Sequence, residues 1–290
     1  MNNINNNQNE EGNLLLLYSQ KSLYDKSKKI KYYTILLALV CFSLGILSKL
    51  IVGYEVQFTI SIFFITAIAK YLQNNSCKFN NLAAATQELI DRRLFGFEIE
   101  SRHLDNHTIF QILSVAKDLK ETYPEKYLIN INNTGTDSPN GVKDWYTNIS
   151  SNLQVKDAIL KCQKQNIYWD KLLIDFYRKI LIFLILFVAI IFLILYWNQS
   201  VYKFIVGVIS SFSICEIIIN EFIMSTNFKS INTEINCIIY TLDRSNVINT
   251  NDLKELQAKI FTRRKSDFNV PSFIHKINRI TIHHKYSRDN

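Results

Sequence analysis

The apolar positions of this 290-residue chain are concentrated in two blocks, and the longest apolar stretch, interrupted only by Asn198, Gln199 and Ser200, lies at residues 180–202. This run contains no Asp, Glu, Lys, Arg or His. A helix rises about 1.5 Å per residue, so the run would reach roughly 30 Å, the hydrocarbon thickness of a bilayer. A helix buried in a large soluble domain is the alternative, but such a helix keeps one polar face and this run has none. The run predicts a transmembrane helix.

Three further apolar segments complete two predicted transmembrane hairpins. The hairpins are residues 32–72, with spans at 32–54 and 56–72, and residues 180–224, with a return span at 201–224. The 56–72 segment is at the lower limit of length for crossing a bilayer, and it is predicted to span mainly because the first span must return. The predicted fold class is therefore all-α, a helical membrane protein with four transmembrane helices arranged as two hairpins.

The remaining segments are polar and predict cytosolic regions. They are an N-terminal basic helix at residues 1–31, a helical middle region at 73–179 that is the predicted sensor, and a C-terminal helical region with a basic tail at 225–290. We expect the Asn-rich residues 1–12 to be mobile and residues 130–141 to form a loop. Thr108 and Asp252 are each followed three residues later by Gln or Glu, which predicts two helix N-caps.

The positive charges follow the predicted topology. Of the 33 Lys and Arg residues, five lie in residues 1–31, fourteen in 73–179 and eleven in 225–290. Because cytoplasmic segments carry an excess of Lys and Arg, both termini and the middle region are predicted to be cytoplasmic. The same distribution accounts for the net charge of +8 without DNA as a partner.

A cluster of basic residues precedes the first span. It consists of Lys26, Lys28, Lys29 and Lys31. Polybasic segments beside a membrane are attracted to anionic lipids, so the cluster predicts contact with lipid headgroups. A solvated helix face is the alternative interpretation.

Catalytic motifs are absent from the sequence. There is no Gly-rich phosphate loop, no HExxH pair, no GxSxG and no paired Cys/His spacing. The five cysteines are an odd number and are scattered, as expected of reduced thiols in a protein facing the cytosol. The sequence therefore predicts a protein that is not an enzyme and has no cofactor or metal site.

Short segments in a fixed order cover nearly the whole chain and carry a resemblance to a known family. They are residues 8–11 (QNEE), 20–30 (QKSLYDKSKKI), 94–97 (LFGF), 143–146 (KDWY), 158–163 (AILKCQ), 166–170 (NIYWD), 256–261 (LQAKIF) and 270–271 (VP). With the two-hairpin layout, they make the chain resemble the SMODS- and SLOG-associating four-transmembrane effectors of bacterial anti-phage systems. The resemblance implies a non-enzymatic effector of CBASS-like abortive infection, located in the bacterial inner membrane beside a cyclic-oligonucleotide synthase or a nucleotide-sensing partner.

The resemblance further implies that the effector oligomerises and permeabilises the inner membrane when a cyclic oligonucleotide or a partner protein triggers it. The alternative is a non-pore membrane receptor or anchor that recruits a soluble signalling partner. Polar residues in the fourth span favour the pore, because an anchor needs only apolar side chains.

Five residues in the family-like segments are candidates for binding the nucleotide. They are Arg92, Arg93, Trp145, Trp169 and Asp170. Aromatic rings could stack on bases, and arginines could hold phosphates. The alternative is that both tryptophans are core residues and that the arginines lie on a solvated face.

Three charged residues of the predicted spans are candidates for lining a pore. Lys70 lies sixteen residues from Tyr54, and Glu216 lies sixteen residues from Ser200, so both are about 24 Å down their helices from the same outer surface. An unpaired charge at depth costs at least ~2.5 kcal/mol, so we expect Lys70 and Glu216 to approach one another. Snorkelling of Lys70 to the interface is the alternative. Glu221, about 7 Å further on, is expected to meet water.

Overall fold

The computed structural model describes residues 2–51, 53–100, 104–168, 170–198, 200–245, 247–266 and 268. Over these residues the chain forms nine α-helices and no β-strand, which confirms the predicted all-α class. The helices are α1 (Ile4–Asn7), α2 (Glu11–Leu50), α3 (Glu55–Phe95), α4 (Asn106–Thr122), α5 (Pro124–Asn132), α6 (Val155–Tyr168), α7 (Asp170–Tyr196), α8 (Val201–Arg244) and α9 (Thr250–Arg264). Predicted helix residue Trp169 lies outside the described residues.

The chain divides into two compact units. The first, called the core unit here, comprises Met1–Lys26, Phe79–Lys171 and Ser230–Asp267. The second, called the span unit, comprises Ser27–Lys78, Leu172–Lys229 and Phe268–Asn290, of which the last stretch is described only at Phe268. The long helices α2, α3 and α8 each contribute residues to both units.

Within the residues that the structure describes, three helices are long and apolar enough to cross a membrane, and there are four if one bent pair counts as a single span. The three lie within Glu11–Ser48, Glu55–Phe95 and Ile174–Tyr196. The bent pair is Lys203–Ile209 with Ile214–Arg244, which meet at 43°. It coincides with the predicted fourth span, the one that carries Lys203 and Glu216. The two predicted hairpin turns separate α2 from α3 and α7 from α8.

The first helices extend beyond the predicted span boundaries. α2 continues from Glu11 to Leu50 without a break at the predicted end of the basic helix, because no Gly or Pro interrupts residues 13–44. α3 continues from the second span into the core unit and ends at Phe95, as predicted, where Gly96 adopts a φ of +67°. That left-handed conformation is the usual helix terminator and favours glycine.

Two predicted helix caps are wrong by a few residues. α4 is capped by Asp105, whose carboxylate accepts a hydrogen bond from the Thr108 backbone N–H at 2.8 Å, so Thr108 is inside the helix. α9 begins after Asn249 instead of at Asp252. In both helices a short polar residue just upstream of the predicted cap occupies the N-cap position. The predicted 130–141 loop also begins later, because α5 extends to Asn132.

The prediction of a mobile N-terminus is wrong. Ile4 is buried in the hydrophobic core of the core unit. The Asn2 side chain donates to the carbonyl oxygens of Ser150, at 2.8 Å, and Leu153, at 3.1 Å. Asn9 donates to the Asp144 carboxylate at 2.7 Å. Side-chain amides that can both donate and accept therefore dock residues 2–9 onto the segment around residues 144–153.

The core unit has a continuous apolar core to which eight of the nine described helices contribute, all except α7. It is formed by Leu16 and Leu17 of α2, Leu89 and Ile90 of α3, Ile112 of α4, Ile159 of α6, and Leu253, Leu256 and Ile260 of α9, among others. The contributing residues recur every three or four positions on α9, as expected of an amphipathic helix that packs one face. This core holds α3 and α9 side by side and so positions the polar groups described below.

In the span unit, Gly207 of α8 allows the ring of Tyr196 of α7 to pack directly on the helix backbone. A Cβ atom at position 207 would overlap with that ring. The Tyr196 hydroxyl donates to the Gly45 carbonyl oxygen of α2 at 3.4 Å. One aromatic side chain thus contacts three helices, and its place depends on the absence of a side chain at position 207.

We expect Gly207→Ala to destabilise the span unit by about 1–3 kcal/mol, the usual cost of overpacking. Gly12→Ala is the matched control, because nothing lies within 4 Å of a Cβ at position 12 of α2. Alanine is the better helix former, so the control should be neutral or slightly stabilising. Thermal unfolding in detergent micelles measures both. Equal unfolding temperatures for the two variants would contradict the proposed close packing.

Candidate functional site

A buried carboxylate, Asp91 of α3, is the centre of a polar network inside the core unit. Its side chain is almost fully buried. One carboxylate oxygen, Oδ1, accepts a hydrogen bond from the Tyr146 hydroxyl at 2.6 Å. The other, Oδ2, accepts from Arg264 Nη1 at 2.7 Å and from Gln257 Nε2 at 3.1 Å. Asp91 therefore connects α3 to α9 and to the segment that carries Tyr146.

A second carboxylate, Glu88, lies one helical turn earlier on α3. It accepts from Gln257 Nε2 at 2.8 Å and from Arg92 Nε at 2.6 Å. Arg92 also donates to the Glu98 carbonyl oxygen at 2.6 Å. The network thus contains two carboxylates and two guanidinium groups. A buried charge is tolerated when it is paired and hydrogen-bonded, and these four compensate one another.

Tyr146 is held by hydrogen bonds to its backbone and to its side-chain hydroxyl. Its backbone N–H donates to the Gln8 side chain at 2.8 Å, and the Gln8 amide donates to its carbonyl oxygen at 3.1 Å. Its hydroxyl accepts from Asn166 at 2.9 Å. Burial and the negative charge of Asp91 raise the pKa of Tyr146 well above its usual value. Tyr146 therefore stays a neutral phenol that donates to Asp91.

Arg264 stays charged in this buried position. Burial alone would lower its pKa, but the negative charge of Asp91 and the other surrounding groups outweigh that effect and raise it. Close by, burial raises the pKa of the Cys162 thiol, so this cysteine is a protonated and unreactive core residue. Burial also raises the pKa of Glu88, against the lowering effect of Arg264 and of the hydrogen bonds from Gln257 and Arg92.

The structure describes the side-chain surroundings of three of the five candidate nucleotide-binding residues, Arg92, Arg93 and Trp145. Arg92 is buried and engaged by Glu88, whereas Arg93, next to it, is exposed. Trp145 is half-buried and packs against the core. Asp170 is the first residue of α7, and Trp169 lies outside the described residues. Only Arg93 and Trp145 are thus described as having exposed side-chain surface.

Three ion pairs join helices in the described part of the span unit: Lys229–Asp175, in which both side chains are about half exposed, and two that involve the candidate pore residues. Lys70 of α3 and Glu216 of α8 form an ion pair, the contact that their equal depth predicts, with 51% and 28% of their side chains exposed. Lys31 Nζ of α2 lies 2.5 Å from Glu221 Oε1 of α8, with 21% and 8% exposed. Both pairs join helices that are distant in sequence, so they fix the order of the spans.

The prediction that Glu221 meets water is wrong. Glu221 is buried, and besides Lys31 it accepts a hydrogen bond from the Tyr177 hydroxyl of α7 at 3.1 Å. The physical reason is that Lys31, which the sequence places in the basic cluster before the first span, reaches Glu221 and neutralises it. One carboxylate therefore contacts α2 and α7 from α8.

Sequence reasoning missed Asp91, Glu88 and Gln257, although a signal for them exists. On α9, residues 253, 256, 257, 260 and 264 share one face, so Gln257 and Arg264 fall within the apolar stripe. On α3, Glu88 and Asp91 interrupt an apolar face in the same way. A polar residue inside an apolar stripe indicates a buried polar partner, and two such stripes of complementary polarity indicate a shared network.

The comparison with known families decides the identity of the chain, because a sequence model described as the SMODS-associating 4TM effector domain matches residues 2–289. The chain belongs to this family. No curated protein and no solved structure was found to match it. As a member of the SMODS-associating 4TM effector family, the protein is a membrane effector, and the family is one of effector domains that is not a known catalytic family.

The segments that carry the family resemblance converge on the Asp91 network. Gln8, Tyr146, Asn166 and Gln257 each lie in one of them, and each donates or accepts a hydrogen bond within the network. Several of the segments by which the SMODS-associating 4TM effector resembles its family therefore contribute to one hydrogen-bond network inside the core unit. Over the described residues, no group of three or more His, Cys, Asp or Glu side chains is placed to hold a metal ion.

Proposed function

We propose that this membrane effector oligomerises and permeabilises the bacterial inner membrane when a cyclic oligonucleotide or a nucleotide-sensing partner triggers it, with both termini in the cytoplasm. Its family and its apolar helices support the membrane effector. The distribution of Lys and Arg supports the orientation.

The Lys70–Glu216 pair is the observation that carries the pore proposal. Each charge placed within a span costs about 2.5–3.5 kcal/mol near the centre of a bilayer and less towards the interface. A protein that is only anchored in the membrane would not need these unfavourable charges, because apolar residues alone would hold it there. Both side chains are partly exposed, which suits a surface that faces water or a neighbouring copy of the chain. Glu216 is proposed to line the water path when the pore opens.

The trigger is proposed to act on the core unit. Arg93 and Trp145 both have exposed surface that a phosphate and a base could contact, while Arg92 is already engaged by Glu88. A binding test of this site should therefore vary Arg93 and Trp145 and leave Arg92 unchanged. Trp169 and Asp170 complete the proposed set.

Ion flux through liposomes containing the purified protein tests the pore. With synthetic cyclic di- and trinucleotides added as candidate triggers, or with the nucleotide-producing partner system, the wild type should release a small entrapped dye and conduct cations in preference to anions. We expect Glu216→Gln to lose that cation preference, because it removes the acidic group from the proposed path. The charge swap Lys70→Glu with Glu216→Lys should restore assembly that either single reversal damages.

Glu234→Gln is the matched control, since Glu234 is on the same helix, α8, but belongs to the core unit and forms an exposed pair with Lys259 at 2.5 Å. It should leave flux and selectivity unchanged. If Glu216→Leu conducts with the wild-type selectivity, Glu216 does not line the path. If no trigger produces flux from correctly folded protein, and the protein instead captures a soluble partner, it is an anchor.

A further inference from the structure

Two serines fix the relative depth of α2 and α3 in the span unit. The Ser27 and Ser76 hydroxyls lie 3.0 Å apart, and each also approaches the other's carbonyl oxygen at 3.0 Å. Ser76 is about twenty residues from the outer turn that ends at Glu55, so it is roughly 30 Å down the helix. The Ser27–Ser76 contact therefore lies near the cytoplasmic edge of the hydrocarbon layer.

Exposed lysines surround this level on several helices. Lys28 and Lys29 follow Ser27 by one and two residues on α2, and Lys78 follows Ser76 by two residues on α3. Each is therefore within roughly 3 Å of the serine contact along its helix axis. All three are exposed, and in the described part of the chain they have no ion-pair partner.

α7 contributes a lysine to the same layer. Tyr177 contacts Glu221, which pairs with Lys31, four residues after Ser27. Lys179 follows Tyr177 by two residues and is exposed. This places Lys179 roughly 9 Å towards the membrane from the serine level, within reach of the interface for a side chain that snorkels.

A row of exposed tyrosines lies on the membrane side of Lys28, Lys29 and Lys78 and at about the depth of Lys179. Tyr32 follows Ser27 by five residues, and Tyr71 precedes Ser76 by five, so both lie roughly 7–8 Å from the serine contact in the same direction. They are 64% and 67% exposed, and Tyr33, beside Tyr32, is 45% exposed. Exposed tyrosines at one depth are typical of the interfacial aromatic belt. The lysines thus lie in or beside the lipid headgroup layer.

We propose that Lys28, Lys29, Lys78 and Lys179 form a basic belt that binds the phosphates of anionic phospholipids in the cytoplasmic leaflet. The lysines come from three different helices and do not converge on an enclosed pocket, so they fit a layer of separate headgroups better than one soluble nucleotide. Exposed apolar side chains, such as Ile68 at 54% and Leu36 at 45%, continue from the belt towards the membrane and suit the acyl chains. The lysines therefore suit the lipid headgroups, and the exposed apolar residues suit the acyl chains.

Lipid binding to the purified full-length protein tests the belt. Native mass spectrometry in detergent would compare phosphatidylglycerol with phosphatidylcholine of the same acyl chains. The wild type should prefer phosphatidylglycerol, and the quadruple variant K28Q/K29Q/K78Q/K179Q should lose at least about tenfold of that preference, since each lysine near a charged membrane surface contributes several-fold. The corresponding quadruple arginine variant keeps the positive charges and should retain the preference for phosphatidylglycerol.

The control K117Q/K126Q/K143Q/K156Q removes the same number of positive charges from exposed positions of the core unit. It should keep the wild-type preference. The proposal is overturned if the wild type shows no preference for phosphatidylglycerol, if the belt variant retains the preference, or if the control variant loses it equally. A belt variant that fails to fold would be recognised by size-exclusion chromatography. In that case the lipid preference of the double variant K28Q/K29Q is compared with those of the wild type and the arginine variant, and an undiminished preference in K28Q/K29Q overturns the proposal.

Discussion

Asp91→Ala should destabilise the core unit by about 3–5 kcal/mol, a large share of the roughly 5–15 kcal/mol by which ordinary domains are stable. The substitution leaves the charged Arg264 buried without its carboxylate partner, and it removes the acceptor of the Tyr146 hydroxyl. Neither donor gives up its proton to relieve the loss, because a guanidinium stays protonated in proteins and burial raises the pKa of Tyr146. Urea unfolding followed by circular dichroism, or limited proteolysis in detergent, would measure the change.

Asp243→Ala is the matched control for this prediction. Asp243 also accepts from a basic side chain, Lys164 at 2.5 Å, but 46% of the Asp243 side chain and 40% of the Lys164 side chain are exposed. Water can replace the lost partner there, so the cost should stay below about 1 kcal/mol. If both variants lose the same stability, the Asp91 network does not hold the core unit together.

The parts of the fold that depend on local pattern could be predicted from the sequence. A charge-free stretch such as residues 180–202 crosses a membrane as a helix, because only a helix satisfies all of its backbone hydrogen bonds within the segment. The distribution of Lys and Arg then predicts which of the remaining segments are cytoplasmic. Gly96 ends α3 where predicted, because only a residue that tolerates a positive φ fits there easily. These features need no knowledge of which helix packs against which.

The parts that depend on distant contacts could not be predicted. Nothing near Asn2 indicates that its amide bonds to carbonyl groups about 150 residues away, so the Asn-rich N-terminus resembles a mobile tail. Lys31 similarly belongs to a basic cluster by sequence, and only its approach to Glu221 makes it an intramembrane partner. The contact between Lys70 and Glu216 could be predicted, because the depth of each residue along its helix can be counted from a turn at the same membrane surface.

The two ion pairs that involve candidate pore residues differ in a way that bears on the proposed opening. Lys31 and Glu221 are mostly buried and also engage Tyr177, whereas Lys70 and Glu216 are partly exposed. The more buried pair is suited to holding the helices together, because a buried charge cannot leave its partner without a large cost. The more exposed pair can exchange its partner for water at less cost. We therefore expect the first pair to control stability and the second to control conduction.

Glu221→Ala should destabilise the span unit by about 3–5 kcal/mol, since it leaves the Lys31 ammonium and the Tyr177 hydroxyl without their acceptor. Lys229→Ala is the control on the same helix: it breaks the Lys229–Asp175 contact of 2.7 Å, in which both side chains are about half exposed, and should cost less than about 1 kcal/mol. Thermal unfolding in detergent separates the two. The double variant Lys31→Met with Glu221→Leu should recover most of the lost stability, because apolar residues of similar volume can replace a buried pair. A double variant as unstable as the sum of its single variants would mean that Lys31 and Glu221 contribute independently, and that their contact does not clamp α2 to α8.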